Sequence, residues 1–250
     1  FVQYSRYKAD IDAGVFADEN DYTISNSYLN AGGGAFFKKG IVSVTANYQF
    51  GEMKRRYLND STDKPGFTTY ENNRYSARTQ YLELYSNIEA AQWLTVLAGA
   101  DYRRASMRQK YYSESFFGPY DPPAFDSALH QTSFYSSFFF HFLDKKLNIE
   151  IGGRTNKHSR YGSNSTFTFN PSFSLTKNWR VFGSIASGFK APSIYQVFDT
   201  YSGNPDLEPE KSVNYELGVQ QSHQSISSRV VYFHRDIRNG IDYDYVNFKY

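Results

Sequence analysis

The sequence of 250 residues contains no cysteine. This absence excludes disulfide frameworks, thiol chemistry and cysteine-based metal sites. No stretch approaches the roughly 20 consecutive apolar residues of a transmembrane helix, so helices cannot carry this chain across a membrane. Neither sign of charge dominates, because 27 Lys and Arg residues are balanced by 25 Asp and Glu residues without a long run of either sign. Charge therefore does not indicate a nucleic-acid partner, and we expect none.

The apolar content of the chain consists largely of aromatic rings. Aromatic residues make up 19% of the sequence, with 23 Tyr and 22 Phe, although all hydrophobic residues together reach only 40%. Soluble cores are usually built from Leu, Ile, Val and Ala. Here the rings lie among Ser, Thr, Asn and Gln, a mixture that suits a sheet with one apolar face and one polar face.

Apolar and polar residues alternate along most of the chain. The clearest example contains Phe167, Phe169 and Phe173 on one face, with Thr, Asn and Ser between them on the other. This alternation is typical of β-strands with two different faces, and it predicts about eleven strands. The predicted strands are Ser25–Phe37, Ile41–Phe50, Arg74–Ala90, Trp93–Arg108, Thr132–Phe142, Lys146–Lys157, Ser165–Thr176, Trp179–Gly188, Ser212–Gln221, Ser227–Arg238 and Ile241–Tyr250.

The connections between these strands alternate between short and long. Membrane barrels show this asymmetry, and several runs here alternate for about ten residues or more, whereas sandwich strands typically have about 5–6. We therefore predict an all-β fold, an antiparallel up-and-down transmembrane β-barrel that is present in part; the alternative is a soluble β-sandwich or jelly roll. The predicted short turns are 38–40, 91–92, 144–145, 177–178 and 222–224, and the longer connections are 58–73, 109–131, 159–164 and 189–211.

Two motifs lie around the last long connection. The first is Gly-Phe-Lys-Ala-Pro-Ser-Ile at 188–194, and the second is Gly-Asn-Pro-Asp-Leu-Glu-Pro-Glu-Lys-Ser at 203–212. In order and spacing, the segment 179–243 that contains them resembles the barrel of TonB-dependent outer-membrane receptors, such as siderophore and cobalamin receptors. The prolines end strands and fix an extended loop, so the motifs are interpreted as structural.

The resemblance implies that residues 1–250 form one barrel domain, a fragment whose plug domain, signal peptide and C-terminal strands are absent. The implied location is the outer membrane of a Gram-negative-type bacterium. The implied partners are outer-membrane lipid and lipopolysaccharide, the TonB complex through the missing plug region, and a small-molecule or chelate ligand. The implied function is energised uptake of a ferric siderophore, cobalamin, haem or a glycan. The alternative function is a passive porin-like channel. An adhesive or enzymatic barrel is a weaker alternative.

Aromatic residues in two long connections are the candidate ligand-binding residues. Rings in loops stiffened by proline can stack on a flat chelate or sugar at little cost in ordering. The same rings also suit packing against neighbouring loops or lipopolysaccharide, so both interpretations stand. The candidate residues are Tyr111, Tyr112, Phe116, Phe117 and Tyr120 in the connection 109–131, and Tyr195 and Tyr201 in the connection 189–211.

No residue pattern indicates catalysis, a metal or a cofactor. The 5 histidines are scattered and none has a nucleophile or carboxylate in a local motif. We therefore predict no catalytic residue, no metal site and no cofactor, and we do not expect an enzyme. An acidic group near the start offers oxygen ligands for Ca²⁺, but acidic loop clusters are usually solvated, and it is not counted as a site. Its members are Asp10, Asp12, Asp18, Glu19 and Asp21.

Overall fold

The structure, a computed structural model, is an antiparallel sheet of 12 strands. It describes residues 1–12, 21–60, 68–223 and 225–250. Strands that follow one another in sequence are neighbours in the sheet, with one three-residue strand paired only to the strand before it. The strands are β1 Val2–Asp12, β2 Asp21–Lys39, β3 Val42–Asn59, β4 Thr68–Ala91, β5 Leu94–Ser115, β6 Gly118–Tyr120, β7 Phe125–Phe142, β8 Leu147–His158, β9 Gly162–Ser174, β10 Trp179–Lys190, β11 Glu210–His223 and β12 Ile226–Arg238; one helix, α1, spans Ile194–Phe198.

This order confirms the predicted all-β, up-and-down antiparallel fold. In the described part of the chain, β1 and β12 are the two edges of the sheet, which therefore forms part of a barrel wall. Several strands exceed the roughly 9–11 residues that cross a bilayer, with 24 residues in β4 and 22 in β5. These strands are therefore about twice as long as a bilayer crossing requires.

Membrane-spanning helices are a separate question. Within the described ranges, no helix combines the length and the apolar character needed to cross a bilayer.

The short turns lie together at one end of the sheet, as predicted. Between β7 and β8 three consecutive residues, Leu143, Asp144 and Lys145, take positive φ angles, and Gly40 does so between β2 and β3. Residue 224, in the last predicted short turn, lies outside the described residues. The opposite end, called the loop end below, carries the connection from β10 to β11 with α1 inside it.

Several sequence predictions of connections and strands need correction. The connection 159–164 is a tight turn, because Gly162 at φ 67° lets β9 begin at once. Residues 109–131 are mostly strand, since β5 continues to Ser115 and β7 begins at Phe125. The start of the chain, for which no strand bounds were predicted, forms β1.

The prediction of a strand at 241–250 is wrong. This segment forms only an isolated bridge between Asp244 and Lys249. The Asp244 carboxylate accepts hydrogen bonds from the backbone N–H groups of Val246 and Asn247 at 2.8 and 3.2 Å, and Phe248 has a φ of 57°. The aspartate therefore stabilises a turn where alternation alone predicted a strand.

The two faces of the sheet differ as the alternation predicted. On the apolar face, Phe138, Ile151, Phe169 and Ile185 occupy successive positions across four strands in direct register. This apolar band begins at the row Tyr48–Leu82–Tyr102 and ends at the row Phe142–Leu147–Phe173. On β7 it covers about ten residues, the length of a bilayer crossing. So large an exposed apolar surface requires lipid or protein to cover it.

The polar face carries a hydrogen-bonded network in place of a hydrophobic core. Arg154 donates to Asp101 at 2.6 Å and to Ser133 at 2.9 Å. Tyr135 donates to Glu83 at 2.9 Å, and its ring lies 5.4 Å from the Arg154 guanidinium carbon. These contacts join four neighbouring strands, β4, β5, β7 and β8. The polar face is therefore held together by charge-assisted bonds across the wall.

Gly99 provides a test of this packing. A Cβ atom added there would lie 2.6 Å from Cζ of the Tyr135 ring and 2.7 Å from Cβ of Tyr85. We expect Gly99→Ala to lower the free energy of unfolding of the full-length protein by about 1–3 kcal/mol, because the ring must move. Gly33→Ala is the matched control, since a Cβ there meets nothing within 4 Å. Urea unfolding in detergent measures the stability of both variants. Equal stability would contradict the close packing around Gly99.

Candidate functional site

The connection between β10 and β11 folds back over the polar face. Ser193 begins α1 with a capping box, in which its hydroxyl accepts from the Gln196 backbone N–H and the Gln196 side chain accepts from the Ser193 N–H. Ile194 and Val197 of α1 are the buried hydrophobic residues of the described chain, and the helix contacts β5 and β7. The loop thus reaches across the concave side of the sheet, away from its own strands β10 and β11.

Asp199 holds the loop residues that follow the helix. One oxygen of its carboxylate accepts from the backbone N–H groups of Tyr201 and Ser202 at 3.2 and 2.9 Å, and from the Ser202 hydroxyl at 2.8 Å. The backbone turns so closely that a Cβ on Gly203 would lie 2.7 Å from the Asp199 nitrogen. The first glycine of the second motif is therefore required by close backbone approach, and the turn fixes the position of Tyr201.

Three of the predicted ligand-binding tyrosines meet over the polar face. The Tyr201 ring lies edge-on to Tyr111 of β5 at 5.6 Å and to Tyr120 of β6 at 6.2 Å, measured between ring centroids. Tyr111 and Tyr120 are 6.1 Å apart in the same manner. Edge-to-face rings attract one another, because the positive edge of one ring meets the negative face of the other. The three rings therefore hold one another in place at this end of the polar face.

Tyr111 and Tyr201 form one wall of an open cavity of about 650 Å³ at the loop end, and Tyr120 packs against both rings. Strands β4 and β5, the α1 loop and the segment after β12 all contribute to it. We call it the tyrosine cavity. Its lining residues are Glu71, Asn73, Tyr75, Gln109, Tyr111, Tyr195, Asp199, Tyr201, Ser202, Tyr243, Tyr245 and Tyr250.

Polar groups in the tyrosine cavity are able to orient a ligand. The Gln109 side chain is buried, and its amide donates to Asn73 at 3.3 Å and Tyr75 at 3.2 Å while its carbonyl oxygen has no partner. This oxygen is covered by protein atoms, so it bears the cost of a buried acceptor without a donor. Glu71 accepts from Tyr22 at 2.7 Å. The described lining includes the carboxylates of Glu71 and Asp199 and contains no Lys or Arg.

Burial keeps the hydroxyl groups of Tyr111, Tyr195 and Tyr201 neutral by raising the pKa of each. Burial raises the pKa of Tyr201 to about 12. Burial is also the largest cause that raises the pKa of Tyr111 and of Tyr195. Each of these side chains can therefore donate a hydrogen bond as well as stack.

The structure does not bring all seven candidate residues together. Tyr112 follows Tyr111 on β5 and so points to the opposite face, where it donates to Glu114 at 2.6 Å and lies 5.9 Å from the Tyr70 ring. Phe116 and Phe117 are at the hairpin tip, 87% and 83% exposed. Tyr195 joins the tyrosine cavity through α1. A ligand-binding role for any of the seven stays a prediction.

Sequence reasoning missed several cavity residues. Glu71, Asn73 and Tyr75 occupy alternate positions of β4, the signal that would have placed them on one face with Gln109 and Tyr111 of β5. They were missed because residues 58–73 and 109–131 were interpreted as loops. The tyrosines at 243, 245 and 250 approach the cavity only because their segment forms a turn, as Tyr250 N–H donates to the Ser202 carbonyl at 3.1 Å.

A second cavity of about 650 Å³ lies nearer the apolar band, and Arg103, Arg154 and His158 are among its lining residues. Burial, with the neighbouring His130 as a smaller cause, lowers the pKa of the His158 imidazole.

Within the described ranges no group of His, Asp and Glu is arranged to hold a metal ion, while Asp18 and Glu19 lie outside those ranges. The wall thus offers an aromatic, acidic cavity at the loop end and a basic one below it.

The family model that describes a TonB-dependent receptor-like β-barrel matches residues 2–250 of this chain. The chain belongs to the TonB-dependent receptor β-barrel family. The predicted family is confirmed, and so is the predicted location, the outer membrane of a Gram-negative-type bacterium. In outer-membrane barrels an apolar band of this kind is the surface that faces lipid, and the polar face lines the interior.

Known proteins resemble parts of this receptor chain. The vitamin B12 transporter BtuB of Photobacterium profundum is 32% identical over 84 residues, which are 34% of this chain and 14% of that protein. The iron-regulated outer membrane virulence protein of Vibrio cholerae is 30% identical over 109 residues, 40% of this chain and 17% of that protein.

A similar fold occurs in the ferric yersiniabactin uptake receptor FyuA from Yersinia pestis, with a TM-score of 0.71 at 15% identity over 89% of this chain and 38% of that one. At this identity the likeness shows the fold alone. The receptor chain spans well under half the length of each of these relatives.

Proposed function

We propose that this chain is the barrel portion of a receptor that takes up a scarce nutrient across the outer membrane with energy supplied through TonB. Residues 1–250 would act as one domain, supplying wall and loops. The observation that carries the proposal is the tyrosine cavity, which lies on the interior face at the loop end, where an incoming ligand arrives first. The proposal makes the chain a transporter and not an enzyme.

The cavity chemistry defines the kind of cargo. The rings of Tyr111 and Tyr201 line the cavity and suit a flat or ring-shaped group. Glu71 and Asp199, without a cation in the described lining, disfavour an anionic ligand. We propose that the first contact is made by a neutral or cationic surface of the cargo, as in cobalamin or a hydroxamate chelate.

Uptake by whole cells tests the proposal. The full-length receptor is expressed in cells with and without TonB, and uptake of labelled cyanocobalamin, ferric hydroxamate, ferric catecholate, haem and a maltooligosaccharide is measured. We expect one neutral or cationic probe to enter above its external concentration, and only in cells that contain TonB. The ferric catecholate, which is strongly anionic, should enter least.

A passive channel would give a different result. Uptake would then rise in proportion to the external concentration, would not exceed it, and would be the same with and without TonB. That outcome would replace energised import by a porin-like function and leave the fold assignment unchanged.

A further inference from the structure

The tight turn between β8 and β9 depends on the neutral form of one histidine. His158, the last residue of β8, is buried, and its Nδ1 atom faces the backbone N–H groups of Arg160 and Tyr161 at 3.2 and 3.4 Å. A backbone N–H only donates, so Nδ1 is the acceptor and the ring proton is on Nε2. His158 lies just beyond the apolar band, because Lys157 is in register with Tyr102 through β7. The turn is therefore built around an uncharged imidazole on the loop-end side of the band.

Arg160 connects this turn to the loop that contains α1. Its Nη2 atom donates to the backbone carbonyl of Pro205 at 2.6 Å. Its guanidinium carbon lies 5.2 Å from the ring centroid of Phe198, the last residue of α1, a distance at which a cation and an aromatic ring attract each other. Arg160 thus holds both ends of the segment 198–205. This segment carries Tyr201 of the tyrosine cavity.

The groups around His158 disfavour its protonated form. The second cavity, which His158 lines, contains several cations, and its described lining includes no carboxylate. Burial, and to a smaller extent the charge of His130, lowers the pKa of the His158 imidazole. Besides Arg160 and Tyr161 of the turn, the charged and titratable groups in this lining are Arg78, Arg103, His130, Arg154, Lys190 and Tyr195, of which Arg78, Arg154 and Lys190 are paired with Glu52, Asp101 and Glu210.

Acid therefore weakens the turn. A protonated imidazole carries a hydrogen on Nδ1, so it cannot accept from the N–H groups of Arg160 and Tyr161, and its charge lies among other cations. A histidine released into solvent titrates near pH 6.5. Because the pKa of His158 is lower in the intact turn, the turn is fully stabilised above about pH 6.5. It loses this stabilisation as the pH falls from there through the lower pKa of the intact turn.

We propose that His158 and Arg160 form a pH-sensitive latch that positions the segment 198–205 over the polar face. At neutral pH the latch is closed and holds Tyr201 in the tyrosine cavity. In acid the turn loosens, Arg160 separates from Pro205, and the segment moves away from the cavity. Both residues act by positioning the loop. The effect on uptake rests on the proposed function, whereas the latch itself is a property of the fold.

The movement of the segment is measured on the full-length receptor in detergent, without cargo. Spin labels are attached to Thr200→Cys in the segment and Ser163→Cys on β9, two exposed positions, in a background free of other cysteines. Pulsed electron paramagnetic resonance gives the distance between the labels at about pH 7.5 and about pH 5.5. For a histidine that titrates near pH 6.5 when released, this change raises the ratio of released to latched molecules about tenfold. We therefore expect a second distance to appear in acid.

Variants of two histidines separate titration from structure. His158→Asn keeps an acceptor oxygen near the position of Nδ1 but does not titrate, so the latched distance should persist at both pH values. His158→Leu removes the acceptor and should give the released distance at both. The matched control is His141→Asn, because His141 on β7 also has an Nδ1 hydrogen bond, to Asn148 at 2.7 Å, but lies at the short-turn end. This control should keep the wild-type pH response.

Arg160→Gln tests the connection between the turn and the loop. It leaves the backbone N–H groups that His158 accepts from, but it removes the donor to Pro205 and the guanidinium beside Phe198. The released distance should therefore appear already at about pH 7.5. Half-maximal uptake of the transported probe should require up to about tenfold more probe in this variant, and in the wild type in acid. Heat-modifiable migration in gels establishes that each variant is folded at both pH values.

Three outcomes would overturn the proposal. They are an unchanged distance in the wild-type receptor between the two pH values, a wild-type pH response in the His158→Asn variant, and the latched distance alone in the Arg160→Gln variant. The second outcome would assign the pH response to another group, such as His130. If the distances change as expected but no probe is taken up, the proposed function fails and the latch stands.

Discussion

Tyr111→Ala in the full-length receptor is expected to weaken cargo binding about thirtyfold, because a central aromatic contact in an interface contributes about 2 kcal/mol. The ring contacts Tyr120 and Tyr201 and lines the tyrosine cavity. The concentration of the transported probe that gives half-maximal uptake measures the effect. Surface expression is quantified in parallel.

The matched control is the next residue of the same strand. Tyr112→Ala removes an identical side chain that also contacts another tyrosine, but on the opposite face. We expect its uptake to equal that of the wild type. If both variants lose affinity equally, the loss reflects damage to β5 and not to a binding surface; if neither does, the tyrosine cavity is not the cargo site.

Removal of the Asp101 carboxylate is expected to destabilise the wall most. The Asp101 side chain is fully buried and accepts from Arg154 at 2.6 Å and from Ser133 at 3.2 Å. Asp101→Ala leaves the Arg154 charge without its partner. Breaking a buried pair costs roughly 3–5 kcal/mol, but the Arg154 side chain is 34% exposed. We therefore expect the free energy of unfolding to fall by about 2 kcal/mol, measured by urea unfolding in detergent.

A double variant tests the physical cause. Asp101→Ala with Arg154→Met removes both charges, so most of the stability should return. Asp236→Ala, which removes an exposed carboxylate on β12, should change stability little. If the single and the double variant lose the same amount of stability, then packing, and not an unpaired charge, accounts for the loss.

The tyrosine cavity shows how far prediction from sequence reaches. Tyr111, Tyr120, Tyr195 and Tyr201 were selected because ring-rich connections suit ligand binding, and the structure places all four at one end of one face. Tyr112 was selected on the same grounds and faces the other way. Tyr111 and Tyr112 face opposite sides because β5 continues through residue 115. Charged residues in β5 obscured this continuation, so the sequence did not separate the two tyrosines.

The lengths of the strands were harder to predict than their existence. The alternation is strongest in the apolar band, where lipid requires one apolar face, so the strand segments there were predicted. Beyond the membrane both faces are polar, and the alternation fades although the backbone ladder continues to Asn59 in β3 and Ser115 in β5. At 241–250 the reverse occurred, since a side chain of Asp244 stabilised a turn that the alternation did not reveal.

The sequence by itself determined the β class, the two faces of each strand and the family, because periodicity and short motifs are local properties. Only the tertiary structure decided which distant residues meet. Tyr111 and Tyr201 are in contact because the sheet is concave and the α1 loop crosses it. Arg56 and Arg74 lie opposite each other because the register aligns β3 with β4. Register and curvature arise from pairing between strands, which no single segment specifies.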